Sequence, residues 1–549
     1  MNYFRRTFSV ALVLLTLSAL LPVRLAAQAA SDPAFDIVIR NGRVFDGAGN
    51  PWILADVAIK DGRFVRIGKV DGKGKREIDA RGKYVSPGWI DMQDQSGNVL
   101  TTNGLAESKL LQGVTTAIAG ETGTPVPAEK ISEYFGGLEK SGISLNFGTY
   151  YSATQARVAV IGQDARDPTP EELEKMKGLM ESAMKGGVLG MSTALIYPPA
   201  SYSKTEQLIE LAKVAGRYGG FYVSHIRGEG KELIESINEA ITIGEKGGLP
   251  VEIYHLKAAY QPGWGTLMKQ AGETIEKARA RGLDVAADMY LYTAGGTSLT
   301  AVVPSWAADG GRDKLLERLK DPATRERLKG EIKTGSPGWW NIVEAAGGWK
   351  QVVLASSGNA EHKRFENKNI EQIAKEWNKE PADAAFDLIA ESGGRVGALY
   401  FMMSDSDVET ALKFPWISLG SDAAASPRPV DPNTVGNGHP RGYGNFPRVI
   451  AEYVRKKKVI TLPEAIRKMT SWPATRLRLA SRGTVKEGNW ADVVVFDYEK
   501  IQDNATYEYP FRLPTGIDQV LVNGQVVVEN GKHTGVRPGQ ILYGPGLQR

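Results

Sequence analysis

Two apolar runs that each stop at a histidine constrain this chain more than any other feature: Phe221-Tyr222-Val223-Ser224-His225 and Val251-Glu252-Ile253-Tyr254-His255. Each reads as a buried parallel strand, and the thirty residues from one histidine to the next match one strand-helix-strand unit of an α/β barrel. Neighbouring strands would then present imidazoles at one rim. Only five histidines occur in the 549 residues, so two at strand ends one repeat apart point to a metal site rather than to two hydrogen-bonded core histidines.

The repeat extends in both directions. Eight short apolar runs end on polar or small residues: Trp89 to Met92, Val114 to Glu121, Ile143 to Thr149, Val188 to Thr193, the two above, Leu283 to Asp288 and Ile417 to Asp422. Helical periodicity follows most of them, as in Thr169 to Lys185, Thr205 to Arg217 and Gly230 to Lys246. The pattern predicts an α/β chain whose centre is a (β/α)8, TIM-like barrel over 87–480. Its spacing breaks before the last run, which predicts an insertion at about 304–360, followed by ordinary helices at Ile370 to Trp377 and Pro381 to Glu391. A helix at Thr461 to Met469 closes the barrel.

Both ends of the chain have a β texture. Asn41-Gly42, Asp61-Gly62 and Asn523-Gly524 each separate two alternating runs and read as hairpin turns. A β-sandwich built from 30–86 and 481–549 is the most economical arrangement. Ahead of it, Arg5-Arg6, an apolar run from Phe8 to Leu21 and Ala27-Gln28-Ala29 predict a signal peptide over 1–29, cleaved on export to the periplasm or the cell exterior. The run falls short of the roughly 20 residues of a membrane span, and no other stretch predicts one. A Sec-type signal fits, and Arg5-Arg6-Thr7-Phe8 loosely resembles a twin-arginine signal. Its loss removes three arginines and no acid, taking the formal charge from +4 to +1, which does not suggest a nucleic-acid partner.

Chemistry is expected at the C-terminal strand ends of a barrel, where this chain places Glu121, His225, His255, Asp288 and Asp422. There is no cysteine, so a metal must be held by nitrogen and oxygen. Glu121, His225 and His255 form an N,N,O set of the kind that binds zinc and leaves one position open. Asp422, on the last strand, can take a proton from water and return it to a leaving amine.

Pro87-Gly88-Trp89-Ile90-Asp91, Gly113-Val114-Thr115-Thr116, Ser224-His225-Ile226-Arg227, Asp288 to Gly295, Gly420-Ser421-Asp422 and His439-Pro440-Arg441-Gly442-Tyr443-Gly444 together resemble the amidohydrolase superfamily, in its D-aminoacylase branch. The resemblance covers nearly all of the chain after the signal. It implies a metal-bearing barrel with a β-sandwich that hydrolyses the amide between an acyl group and a D-amino acid. It implies zinc on His225 and His255, Asp422 as general acid/base, and a small substrate whose carboxylate pairs with Arg441 and is held by Tyr290. Lys257 and His439 are placed on the same substrate side, where His439, close to Arg441, could orient either the substrate or its own loop.

Two positions depart from the branch. Gln93-Asp94-Gln95 stands where a His-x-His pair normally ends the first strand, so one zinc ion is expected, without a second. Gly120-Glu121-Thr122-Gly123 replaces the usual Asn-Cys-Gly, with Thr122 at the cysteine position, and leaves open whether Glu121 or Thr122 faces the metal. The fourth strand ends in Ser192-Thr193-Ala194, without the lysine of the carbamate-bridged hydantoinase type. The loss of His-x-His also allows a catalytically silent barrel that binds a ligand or partner, and a metal hydrolase of another amide or ester, or a deaminase, is a third reading. The acyl group, the stereochemistry and the oligomeric state are not fixed by the sequence.

Overall fold

The computed structural model describes residues 34–436 and 438–548; the expected signal segment lies outside the described residues. Eight strands form the barrel: Trp89–Asp91, Val114–Ala119, Asn146–Thr149, Gly190–Ala194, Phe221–His225, Val251–Ile253, Val285–Met289 and Ile417–Leu419. They pair in parallel in chain order, with the short strand Tyr151–Ser152 carrying the third onto the fourth. The ring closes where Met92 N donates to Leu419 O (3.0 Å) and Asp422 N to Gln93 O (2.8 Å). That closure sets the first and last strand ends side by side.

The intervening helices bury one stripe each. Thr205–Arg217 packs Leu208, Leu211, Ala212 and Ala215 inward, the i, i+3, i+4, i+7 pattern. Pro170–Lys185 opens on Thr169 in a capping box with Glu172. The helix expected from Gly230 starts at Leu233, because residues 226–232 are spent on a loop that returns over the barrel mouth.

Hydrogen bonds join both chain ends into one nine-stranded sheet, in which Tyr84–Pro87 pairs antiparallel with Val493–Phe496. Ile39, Val57, Phe64, Val493, Val495 and Leu521 share a core beneath it. The hairpins at Asp61-Gly62 and Asn523-Gly524 form, and their tips meet. The hairpin expected at Asn41-Gly42 does not. Phe35–Val44 is a single strand along Ile53–Lys60, with its register shifting between Ile39 and Gly42. Asn41 takes a left-handed φ of 58° and its N–H donates to Asp56 (2.9 Å), so the extra residue is absorbed as a bulge and the chain does not reverse.

The insertion is larger than 304–360. It spans 294–403 around a three-stranded antiparallel sheet, in which Val396–Phe401 lies between Ala294–Ser298 and Val352–Ser357. Ile370–Trp377 and Pro381–Glu391 belong to it, burying Ile370, Phe386 and Ile389 in a core of their own with Leu328, Leu354 and Tyr400. Its limits depend on pairing between strands about a hundred residues apart, which local periodicity does not register. Among the described residues no helix is long and apolar enough to cross a membrane.

Candidate active site

Glu121, His225 and His255 meet at the C-terminal rim of the barrel, and all three are buried. Gly120 delivers the first of them: its φ is 105°, and a Cβ there would lie 2.5 Å from the backbone N and O of Tyr150. Only glycine lets the second strand turn so close to the third. His255 is delivered by strain, with a φ of 35° just past its strand and its N–H bound to Asp288 Oδ1 (2.9 Å).

Glu121 Oε1 lies 2.8 Å from His225 Nδ1, which lies 2.9 Å from His255 Nε2; the third side of the triangle is 3.8 Å. Ligands around a tetrahedral zinc with bonds of about 2.0–2.1 Å stand about 3.3 Å apart, a value these three distances bracket. Two ring nitrogens and a carboxylate oxygen converging on one buried point fit a zinc ion. Among the described residues this is the one group of three or more His, Asp and Glu side chains whose ligand atoms all fall within 4.8 Å of one another. Thr122 is exposed, and it is the buried Glu121 that faces the centre.

Glu229 completes the cluster, and sequence reasoning missed it. Its Oε1 accepts from Lys257 Nζ (2.6 Å) and lies 3.1 Å from His255 Nδ1, which Lys257 Nζ also approaches at 2.6 Å. A carboxylate behind a ligating histidine fixes the ring and directs its other nitrogen forward. The one available signal was an acid four residues after His225, between Gly228 and Gly230. Burial pushes the Glu229 carboxyl up, but Lys257, His225 and His255 outweigh it and hold it ionised. Burial and Lys257 push His255 down, yet Glu229 and Glu121 overcome them and raise it to about 9. Burial likewise opposes ionisation of Glu121, which the two histidines hold well below the usual carboxylate range.

Asp422 lies across the mouth with a left-handed φ of 47°. Its Oδ2 accepts from Arg441 Nη1 (2.8 Å), while Arg441 Nη2 reaches Gly296 O (3.1 Å) in the insertion. The Arg441 guanidinium lies 4.7 Å from the Tyr290 ring centre, and Lys257 Nζ lies 5.5 Å from it. Burial raises the Tyr290 hydroxyl well above its ordinary value, so it remains a neutral donor. His439 holds the loop: its Nδ1 accepts from Arg441 N (3.1 Å), and its Nε2–H donates to Ala294 O (2.8 Å). Burial and Arg441 keep it neutral.

At the end of the first strand, Gln93 and Gln95 point into the mouth, and Asp94 points out to the buried Lys109 (2.8 Å). Asp288 sits beneath His255, its carboxyl pushed well up by burial and by Glu252. Tyr197 packs its ring 5.2 Å from that of His225 and shares a hydrogen bond with Thr297 (2.9 Å). It lines both a small pocket of about 20 Å³ at the cluster and an open groove of about 550 Å³ between residues 196–198 and the insertion.

The profile of the Amidohydrolase family matches residues 76–528. D-aminoacylase of Alcaligenes xylosoxydans xylosoxydans is 31% identical over 538 residues, covering 94% of this chain and 99% of that protein. A solved N-acyl-D-glutamate deacylase from Bordetella bronchiseptica, complexed with zinc and a phosphonate mimic of the tetrahedral intermediate, superposes with a TM-score of 0.77. It is 28% identical, over 93% of this chain and 99% of that one. A D-aminoacylase structure, described for one-metal activation and second-metal attenuation of a binuclear centre, gives a TM-score of 0.77 at 29% identity, over 93% and 100%.

Proposed function

Because this chain belongs to the amidohydrolase family, in its D-aminoacylase branch, we propose that it hydrolyses the amide of an N-acyl D-amino acid, using one zinc ion held by Glu121, His225 and His255. The observation that carries this reading is the placement of Asp422 and Arg441, paired at 2.8 Å, at the same barrel mouth as the buried N,N,O cluster. An ion in that cluster would supply Lewis-acid polarisation of the amide carbonyl and a lowered pKa for a neighbouring water.

The protein groups do the rest. Arg441 meets the substrate carboxylate with its planar fork, and Tyr290 and Lys257 flank it. That places the amide between Arg441 and the cluster, with Asp422 beside the attacked carbon. Asp422 takes the proton from the attacking water and gives it to the nitrogen as the C–N bond breaks, so the carboxylate ends ionised as it began. Glu229 keeps His255 oriented throughout. Export to the periplasm or exterior belongs to the same proposal and is supported by Arg5-Arg6, the apolar run and Ala27-Gln28-Ala29.

Amine release from N-acetyl-D-amino acids by the zinc-loaded protein, with L-enantiomers as controls, tests the reading. Turnover confined to the D series supports it. Zinc bound without hydrolysis of either series would leave the silent-barrel reading.

A further inference from the structure

Gln93 Nε2 donates to Glu121 Oε2 (3.0 Å), Gln95 Nε2 donates to the same oxygen, and Gln95 Nε2 also reaches Asp422 Oδ1 (3.1 Å). Glu121 therefore has one oxygen for each side: Oε1 faces the histidines and Oε2 is taken by the glutamines. Turning either amide over would set oxygen against carboxylate oxygen, so chemistry fixes both –NH2 groups inward. That orientation leaves Gln93 Oε1 buried without a partner. The hydrogen bond to Glu121 is thus the polar contact that anchors the Gln93 side chain.

Two carboxylates facing the same ground ordinarily invite a cation. Here the positive ends of two amide dipoles occupy it and leave both charges in place. We propose that Gln93 and Gln95 are positioning residues that substitute for a second cation: they restrict Glu121 to one oxygen toward the histidines, hold Asp422, and limit the centre to a single metal ion. This rests on the metal-dependent hydrolase reading. The glutamines touch neither the three ligand atoms of the cluster nor the groups assigned to the substrate carboxylate.

The test is zinc stoichiometry of the whole protein after equilibration with excess zinc and removal of free ion, for the native chain and for Q93H/Q95H. The native chain is expected to hold about one zinc and the double variant about two, since imidazole supplies the donors that the amides lack. Q95L, at a half-buried position, is expected to keep its fold by circular dichroism. Its kcat should fall about tenfold or more with KM little changed, because Asp422 loses an anchor rather than the substrate a contact. Two zinc ions in the native chain, none in it, or an unaltered kcat in a folded Q95L would each overturn the proposal. Stoichiometries of one and two with no hydrolysis by either protein would leave it standing and remove the assigned reaction instead.

Discussion

Asp422 and Arg441 form a 2.8 Å ion pair although they come from different elements, the end of the last barrel strand and the first residue of the helix Arg441–Arg448. The pair joins the group assigned to proton transfer to the group assigned to substrate recognition. An incoming carboxylate would compete for Arg441 and so release Asp422 as it binds.

Replacing Asp422 by Asn should leave zinc bound and abolish turnover. The loss expected for a positioned acid/base is about 10²–10⁴-fold in kcat. Parallel metal analysis and stopped assays would show it, and unchanged activity would remove Asp422 from its role.

Arg441→Lys keeps the charge and loses the fork. KM for an N-acyl-amino acid should rise by about 10- to 100-fold, with a smaller effect on kcat. Steady-state kinetics decide, and an N-acyl amine lacking the carboxylate should be indifferent to the change.

Glu229→Gln should weaken zinc binding by about 10- to 100-fold, the usual cost of losing the carboxylate behind a ligating histidine. Competition with a chromophoric chelator measures it. An equal affinity would mean that Lys257, and not Glu229, sets the orientation of His255.

Lys109 is fully buried between Asp91 and Asp94, each at 2.8 Å. Lys109→Met would strand two carboxylates in the wall behind the first strand. A loss of about 3–5 kcal/mol is expected from the shift in denaturant midpoint.

Lys468 is enclosed near Glu464 (3.3 Å), and burial pushes its ammonium down to about 8. Its native value lies below the unfolded value near 10.4, so between those pH values the unfolded chain binds more protons and stability should rise with pH. Relative to Lys468→Met, the native chain should gain on the order of 3 kcal/mol from pH 7 to 11; denaturant melts at both ends check this.

The barrel was legible because each strand is an apolar run closed by a polar residue, and His225, His255 and Asp422 fall at those closures. The local signals for Thr205–Arg217 and the two surviving hairpins were equally direct. What could not be read depends on distant partners. Val396–Phe401 draws two apparently ordinary helices into the insertion. Glu229 acquires its place only when its loop folds back over His255. Histidine and aspartate are enriched among left-handed residues, yet most residues of either type lie elsewhere, so the backbones of His255 and Asp422 carry no readable local signature. Gln93 and Gln95 read as lost ligands; only the fold shows that they hold Glu121 and Asp422.

The most direct test of the account is the zinc content of the purified protein, measured beside His225→Ala. About one zinc per chain, lost in the variant together with hydrolysis of N-acyl-D-amino acids, is the predicted result. A native chain without zinc, or a variant that retains it, would contradict the assignment of Glu121, His225 and His255 as the metal centre.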